Sequence, residues 1–205
     1  MVDQESETIL DVMYRSALFP LSHFASWRLI LLLFCWTASV TVRADGAPWL
    51  VVDTATLTLT VMEADKSVQH YDNISIGRRG AAVDKRRRDD HTPLGEYRVT
   101  HITRNSEFSI FIGINYPNLD DAKRGREKGL IGERTYRAIR DAIQGGQRPP
   151  QETALGGYIG IHGIGKGDPG IHAAFNWTNG CIAMTNEQIT DLVDRVKPGI
   201  RVVIQ

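Results

Sequence analysis

Cys181 and two histidines upstream of it are the residues of this chain best suited to covalent chemistry. A thiol reacts as its thiolate, so a catalytic cysteine needs a neighbouring base or positive charge that helps to remove its proton. His162 follows residues 158–161, an apolar run typical of a strand end, and His172 is the second candidate partner. Cys181 follows the turn-forming residues 178–180 and precedes a short alternating segment. The pattern predicts a cysteine nucleophile and a histidine base on two strand ends that meet across a sheet.

Two glycines beside these side chains favour acyl-transfer chemistry. Gly163 directly follows His162 and leaves room for another backbone segment to approach closely. In the turn before the cysteine, the amides of Gly180 and Cys181 could point at an oxyanion, the charge that develops during acyl transfer. The alternative interpretation of Cys181 is a small buried apolar residue, which free cysteines often are.

This arrangement resembles that of the L,D-transpeptidase (YkuD) family. The family pattern is a histidine, roughly fifteen further residues, then Ser/Thr-x-Gly-Cys with an asparagine nearby. This chain matches it with His162-Gly163, fifteen residues between His162 and Thr178, then Thr178-Asn179-Gly180-Cys181 and Asn186. A second family feature, a Thr-Pro-x-Gly-x-aromatic turn, is present at residues 92–97. Together the two features connect almost all of residues 45–205, for which the resemblance implies one catalytic domain.

The resemblance implies a cysteine acyl-transferase that acts on peptidoglycan stem peptides without a cofactor. Cys181 would be the nucleophile, His162 the general base, and the carbonyl of Gly163 the group that orients the imidazole. An envelope protein is a further possible acyl acceptor. Two positions depart from the pattern, because many members have histidine at the position of Asn179 and many Gram-negative members have arginine at that of Ala183. The second departure leaves open how a substrate carboxylate is recognised.

Substrate contacts are expected on the segment that leads from the base to the nucleophile. In the family interpretation residues 164–177 form a wall of the cleft, so Lys166, Phe175 and Trp177 are candidate contacts, with Trp177 equally suited to the core. In the turn, Thr178 and Asn179 are the further candidates. No histidine and cysteine spacing resembles a zinc site, so the sequence predicts no metal.

The N-terminal segment is typical of export. Residues 29–42 carry no charge and follow Arg28. At the end of this run, Val42-Arg43-Ala44 provides small residues around a suitable cleavage point. This predicts a signal peptide over residues 1–44 and a periplasmic domain over 45–205, with an uncleaved inner-membrane anchor or a start at Met13 as alternatives. Cys35 would leave with the signal, so Cys181 would be the only thiol of the exported chain.

Composition limits the other partners. The chain has 205 residues and equal numbers of basic and acidic side chains, 24 each. One domain is therefore expected, and no net field favours nucleic acid. We expect a monomer. The charged residues 78–90 predict a solvated loop, with contact to anionic glycan or lipid headgroups as the alternative.

The periodicity predicts a mostly β fold with α insertions, of the sandwich or barrel type. Apolar and β-branched patterns indicate strands at residues 49–53, 56–62, 68–76, 96–102 and 108–115. Residues 119–150 read as a helical insertion, which could serve as a lid over the cleft. A capping box at Thr185–Gln188 predicts a helix after the catalytic turn, and a last strand follows Pro198-Gly199.

Two rival functions remain compatible with these residues. The first is a hydrolase with the same nucleophile, an L,D-carboxypeptidase or amidase, in which water takes the acyl group. The second is a cell-wall binding module that retains the fold but not the reactivity.

Overall fold

A computed structural model describes residues 46–205 of the chain. The predicted signal peptide and its cleavage point lie outside the described residues. Ten strands and four helices follow in chain order, namely β1 (Trp49–Asp53), β2 (Thr58–Glu63), β3 (Lys66–Tyr71), β4 (Ala81–Ala82), β5 (Thr92–Pro93), β6 (Gly95–Ser106), β7 (Ser109–Ile114), α1 (Leu119–Glu127), α2 (Glu133–Gln144), β8 (Gly160–Gly163), α3 (Pro169–Ala174), β9 (Ile182–Met184), α4 (Asn186–Val193) and β10 (Arg201–Ile204).

Eight of these strands form one mixed sheet in the order β3-β2-β1-β10-β6-β7-β8-β9. The pairs β1–β10 and β8–β9 are parallel, and the other neighbours in this sheet are antiparallel. The short strands β4 and β5 pair separately. The mostly β prediction is therefore confirmed.

The long strand β6 joins two halves of the sheet. Its first part pairs with β10, where Tyr97 faces Val202, and its second part pairs with β7, where Val99 faces Ile114. Apolar side chains from both halves pack together in a single core. Strands whose apolar residues alternate with polar ones bury one face in this way. Leu50 from one half and Ile112 from the other are fully buried in it.

Local sequence explains the start of the helix that follows β9. Thr185 caps α4 by accepting a hydrogen bond from the amide of Gln188, whose side chain in turn accepts from the amide of Thr185. This is the predicted capping box. The apolar face of α4, with Ile189 and Leu192 fully buried, packs onto β7 and β8.

The segment after β3 runs beside the turn at residues 178–181. Backbone bridges join Ser75 to Ala183 and Gly77 to Thr178, and the amide of Arg78 donates to the carbonyl of Thr178 at 2.9 Å. These contacts link positions about a hundred residues apart. They bring the start of the charged loop to the edge of the sheet that carries Cys181.

The insertion contains α1 and α2, which enclose a small second core around Ala122 and Ile139. It packs against the rest of the chain through Tyr97, whose hydroxyl donates to Asp121 at 3.4 Å, and through Asn118, which donates to the carbonyl of Glu96 at 2.9 Å. Within residues 46–205, no helix has the length and apolar character that crossing a membrane requires.

Candidate active site

The turn before Cys181 is held by the side chain of Thr178. Its hydroxyl donates to the carbonyl of Cys181 at 2.7 Å and accepts a hydrogen bond from the amide of Gly180 at 3.1 Å. This contact uses the Gly180 amide, one of the two amides considered from the sequence as oxyanion donors. Within the turn, the amide of Cys181 remains the candidate.

Glycine is required at position 180 for two physical reasons. The backbone of Gly180 has φ +127°, a conformation that side chains rarely tolerate. A Cβ atom there would also lie 2.5 Å from the carbonyl oxygen of His91 and 3.1 Å from Nζ of Lys85. The turn before Cys181 therefore rests directly on the loop that precedes β5.

Lys85 beneath this turn is a buried cation. Its side chain is 3 % exposed, and its Nζ lies 2.8 Å from Oδ1 of Asp89. The amides of Arg86 and His91 also donate to Asp89. Burial raises the pKa of Asp89, but these hydrogen bonds and the charge of Lys85 outweigh it and hold the pKa below its usual value. The prediction that the charged segment is simply a solvated loop is therefore wrong at Lys85, because this ion pair allows burial.

His162 ends β8 with its ring almost completely buried, at 2 % exposure. Its Nδ1 lies 2.7 Å from the carbonyl oxygen of Gly163. A carbonyl only accepts, so Nδ1 carries a proton, and in the neutral ring the lone pair lies on Nε2. This is the tautomer that a general base requires.

The loop after His162 is clamped by Asn186. The side-chain amide of Asn186 accepts from the amide of Gly165 at 2.9 Å and donates to the carbonyl of Gly165 at 2.8 Å. A Cβ atom at Gly163 would lie 2.6 Å from Oδ1 of this asparagine and 2.7 Å from the carbonyl of Phe108. Asn186 thus both begins α4 and fixes the backbone of Gly165, two residues after the carbonyl that contacts the imidazole.

Aromatic rings surround His162. The ring centroids of Phe108, Phe111 and Trp177 lie 4.3, 6.1 and 5.9 Å from that of the imidazole. Burial lowers the pKa of His162, the hydrogen bond to Gly163 opposes this, and His172 lowers it further. The imidazole is therefore neutral at neutral pH.

Cys181 begins the segment that leads into β9, and its Sγ donates to the carbonyl of Tyr158 at 3.4 Å. No hydrogen bond joins this thiol to His162 within the described part of the chain. Burial raises the pKa of the Cys181 thiol to about 11, although a backbone hydrogen bond at Gly160 and the charge of Lys85 act in the opposite direction. Thiol and imidazole are both neutral in this state.

Both groups open into one cavity of about 410 Å³. Its lining residues are Arg78, Phe108, Phe111, Tyr158, His162, Trp177, Thr178, Asn179 and Cys181. Among these, Arg78 alone carries a permanent charge. A second cavity of about 280 Å³ adjoins the first across Tyr158 and Asn179, and Lys85, Arg87 and Arg88 contribute to its wall.

The structure places the candidate substrate contacts unequally. Trp177, Thr178 and Asn179 line the cavity, whereas Lys166 is exposed on the loop after β8 and does not. His172 lies behind Trp177, whose indole donates to Nδ1 of His172 at 3.3 Å. His172 therefore supports the wall of the cavity and does not face the thiol.

Several residues of this site have no strong local signal in the sequence. Arg78 and Lys85 belong to the charged segment, and Tyr158 is part of an apolar run. None of the residues 119–150 lines the cavity with Cys181, so the insertion does not cover it in this structure. Within residues 46–205, no group of three or more histidine, cysteine, aspartate or glutamate side chains is arranged to hold a metal ion.

Comparison with known proteins gives the fold a family. The chain matches the family described as YkuD, L,D-transpeptidase catalytic domain, over residues 47–204. A mutant form of the helical cell shape determining protein Pgp2 from Campylobacter jejuni is 20 % identical, with a TM-score of 0.56 over 79 % of this chain and 48 % of that one. Bd1075 from Bdellovibrio bacteriovorus is also 20 % identical, with a TM-score of 0.51 over 79 % of this chain and 49 % of that one. The chain thus covers about half the length of these solved structures.

No curated protein matches the sequence. At such low identity the two structural neighbours show a common fold only, whereas the family match covers most of the chain. The chain therefore belongs to the L,D-transpeptidase (YkuD) family.

Proposed function

We propose that this chain is an L,D-transpeptidase that transfers peptidoglycan stem peptides through a thioester on Cys181. The observation that carries the proposal is the shared cavity of Cys181 and His162, in which Nδ1 of the imidazole is held at 2.7 Å from Gly163. The donor would be a tetrapeptide stem whose bond between the L-centre of diaminopimelate and D-Ala is cleaved. This substrate class comes from the family resemblance, and no cofactor takes part.

In the first half-reaction Sγ of Cys181 attacks the acyl carbonyl while its proton passes to Nε2 of His162. Because both groups start neutral, the proton transfer accompanies the attack and no thiolate accumulates beforehand. The amide of Cys181 donates to the oxyanion, since the amide of Gly180 is engaged by Thr178. When the tetrahedral intermediate collapses, the C–N bond breaks and the proton on His162 passes to the amine of D-Ala.

In the second half-reaction an amine from another stem peptide, or from an envelope protein, attacks the thioester. His162 takes a proton from this amine, the C–S bond breaks, and the thiol recovers a proton. The products are a new amide and the original enzyme. We place this reaction in the periplasm, where the peptidoglycan substrate is found, with the protein acting as a monomer.

Incubation of the purified full chain with defined tetrapeptide muropeptides tests the proposal. The expected products are free D-Ala and crosslinked dimers, seen by liquid chromatography and mass spectrometry. Cys181→Ala should abolish both products, and His162→Gln should lower kcat by roughly 10²–10⁴-fold, the usual contribution of general acid–base catalysis. His70→Gln is the matched control, because His70 is an exposed histidine outside the cavity.

The same assay separates the rival functions. Trimmed monomers without dimers would indicate hydrolysis by the same nucleophile in place of transpeptidation. If no muropeptide reacts and no carbapenem adduct forms on Cys181, a binding module without catalytic activity would account for the fold instead.

A further inference from the structure

We propose that Arg78 binds the substrate's terminal carboxylate and thereby selects peptides that end next to the cleaved bond. This inference rests on the proposed function, since it assigns a subsite within the same cavity. In the stem peptide considered above, the group in question is the carboxylate of the leaving D-Ala. It lies one residue beyond the carbonyl that Cys181 would attack.

Backbone contacts fix the position of Arg78. The bridge between Gly77 and Thr178 and the hydrogen bond from the Arg78 amide to the Thr178 carbonyl place it beside the nucleophile turn. From there its guanidinium reaches the cavity wall, where Nη2 donates to Oδ1 of Asn179 at 2.5 Å. Arg78 therefore approaches the cavity from outside the nucleophile segment itself.

The guanidinium keeps donors available for a ligand. An arginine side chain has five N–H donors in a planar fork. Its Nη2 contacts Asn179, and its Nε lies 3.6 Å from Oδ2 of Asp90, a longer ion pair. Within residues 46–205, Nη1 has no protein acceptor, and the side chain is 53 % exposed. A carboxylate could thus pair with Nη1 while the contact to Asn179 holds the fork in place.

The electrostatics of the cavity favour an anion at this point. Arg78 is the only lining residue with a permanent charge, and the imidazole of His162 is neutral. Position 183, which follows the nucleophile by two residues, is a fully buried alanine and supplies no charge. Among the other nearby cations, Arg87 pairs with Glu152 and lines the adjoining cavity. The aromatic side chains of the cavity wall offer few other hydrogen-bond donors to a bound carboxylate.

Alkylation of Cys181 by two matched reagents tests this inference without any turnover. N-iodoacetyl-D-alanine and its carboxamide share an electrophilic carbon, but only the first has a carboxylate one residue away. In each reaction the S–C bond forms, the C–I bond breaks, iodide leaves and the thiol proton passes to His162 or water. The ratio of the two rates removes any general change in thiol reactivity.

The decisive variants are Arg78→Gln and Arg79→Gln. Arg79 is the adjacent exposed arginine and does not line the cavity, so the two substitutions change the net charge equally. In Arg78→Gln the alkylation rate of the acid relative to that of the amide should fall about tenfold. This is more than loss of an exposed ion pair would cause and less than loss of a buried charged hydrogen bond would cause. In Arg79→Gln the ratio should stay within twofold of the original, and Arg78→Lys should recover part of the loss.

An unchanged ratio in Arg78→Gln overturns the inference, and so does an equal fall in Arg79→Gln, which would indicate a general field. A second arm compares turnover of a tetrapeptide stem with that of its C-terminal carboxamide. Arg78→Gln should raise KM about tenfold for the acid and leave the amide unchanged. If neither peptide reacts with the original protein, the proposed function fails, while the alkylation ratio still decides the role of Arg78.

Discussion

Replacement of Lys85 by methionine tests whether the buried ion pair supports the turn before Cys181. Methionine keeps most of the apolar stem but removes the charge that faces Asp89 at 2.8 Å. The two side chains are only 3 % and 17 % exposed, so little water can replace the lost partner. We expect both the stability of the fold and the reactivity of Cys181 to fall.

The size of the stability loss follows from the contacts that remain. Breaking a buried ion pair by removal of one partner costs about 3–5 kcal/mol, because the other charge stays buried. Asp89 retains the amides of Arg86 and His91 as donors, which compensate part of its charge. The expected loss therefore lies near the lower end, at about 3 kcal/mol.

Urea unfolding of the full chain measures this loss by linear extrapolation. Arg87→Met is the matched control, because Arg87 belongs to the same loop and pairs with Glu152 at side-chain exposures of 46 % and 59 %. An exposed pair of this kind contributes about 0–1 kcal/mol. Iodoacetamide alkylation of Cys181 at pH 8 should also slow in Lys85→Met, since the ammonium lowers the pKa of the thiol, and should be unaffected in Arg87→Met.

A double-mutant cycle completes the test. With Asp89→Asn in place, the further change Lys85→Met should cost less than in the original chain, because no buried carboxylate remains unpaired. If Lys85→Met costs no more than Arg87→Met, the pair does not hold the turn and the reasoning is refuted. Equal costs of Lys85→Met in the presence and absence of Asp89 would refute it as well.

Three further predictions concern the same site and its surroundings. Gly180→Ala should destabilise the fold by more than about 3 kcal/mol in urea unfolding and slow alkylation of Cys181. Gly199→Ala is the control, since Gly199 has φ +93° but no atom near its Cβ position, and it should cost only about 1–2 kcal/mol. Similar losses for both variants would contradict the steric argument. Because the pKa of the thiol is raised to about 11, the alkylation rate of Cys181 should rise about tenfold per pH unit from pH 7 to pH 10, and a plateau below pH 9 would show that burial does not control it. Burial raises the pKa of Asp121 from 3.8 to about 6, so the folded state binds the extra proton and stability should decline by up to about 3 kcal/mol as pH rises from 4 to 6; unfolding titrations should show that Asp121→Asn removes this decline.

Local patterns in the sequence predicted the elements that their own residues determine. The alternation of Leu59 and Val61 with polar neighbours gave β2, and the reciprocal bonds of Thr185 and Gln188 gave the start of α4. The helix α3 was not predicted, although Asp168 before Pro169 is a typical helix start and its side chain accepts from the amide of Gly170 at 2.6 Å. A capping signal was thus present, but residues 164–177 were interpreted only as a wall of the cleft.

Contacts between distant parts of the chain explain what local patterns could not predict. Lys85 appeared solvated because four basic residues follow one another at 85–88, and only the packing of Gly180 on this loop buries it. Arg78 reaches the cavity because its neighbour Gly77 bridges to Thr178, about a hundred residues away. Conversely, Lys166 was expected to contact substrate because it belongs to residues 164–177, but the loop clamped by Asn186 leaves it outside the cavity.

In the proposed mechanism, the raised pKa of Cys181 explains both why the free thiol reacts slowly and why His162 is needed as a base. With a pKa of about 11, the thiol is almost entirely protonated at pH 7, so spontaneous oxidation and alkylation should be slow. The same low thiolate fraction would make the residue a poor nucleophile without assistance. In the proposed mechanism, a neutral imidazole whose lone pair lies on Nε2 supplies that assistance only when an acyl carbonyl occupies the cavity and attack can begin. The raised pKa of the thiol and the neutral imidazole would together limit the reactivity of Cys181 to the moment when substrate is bound.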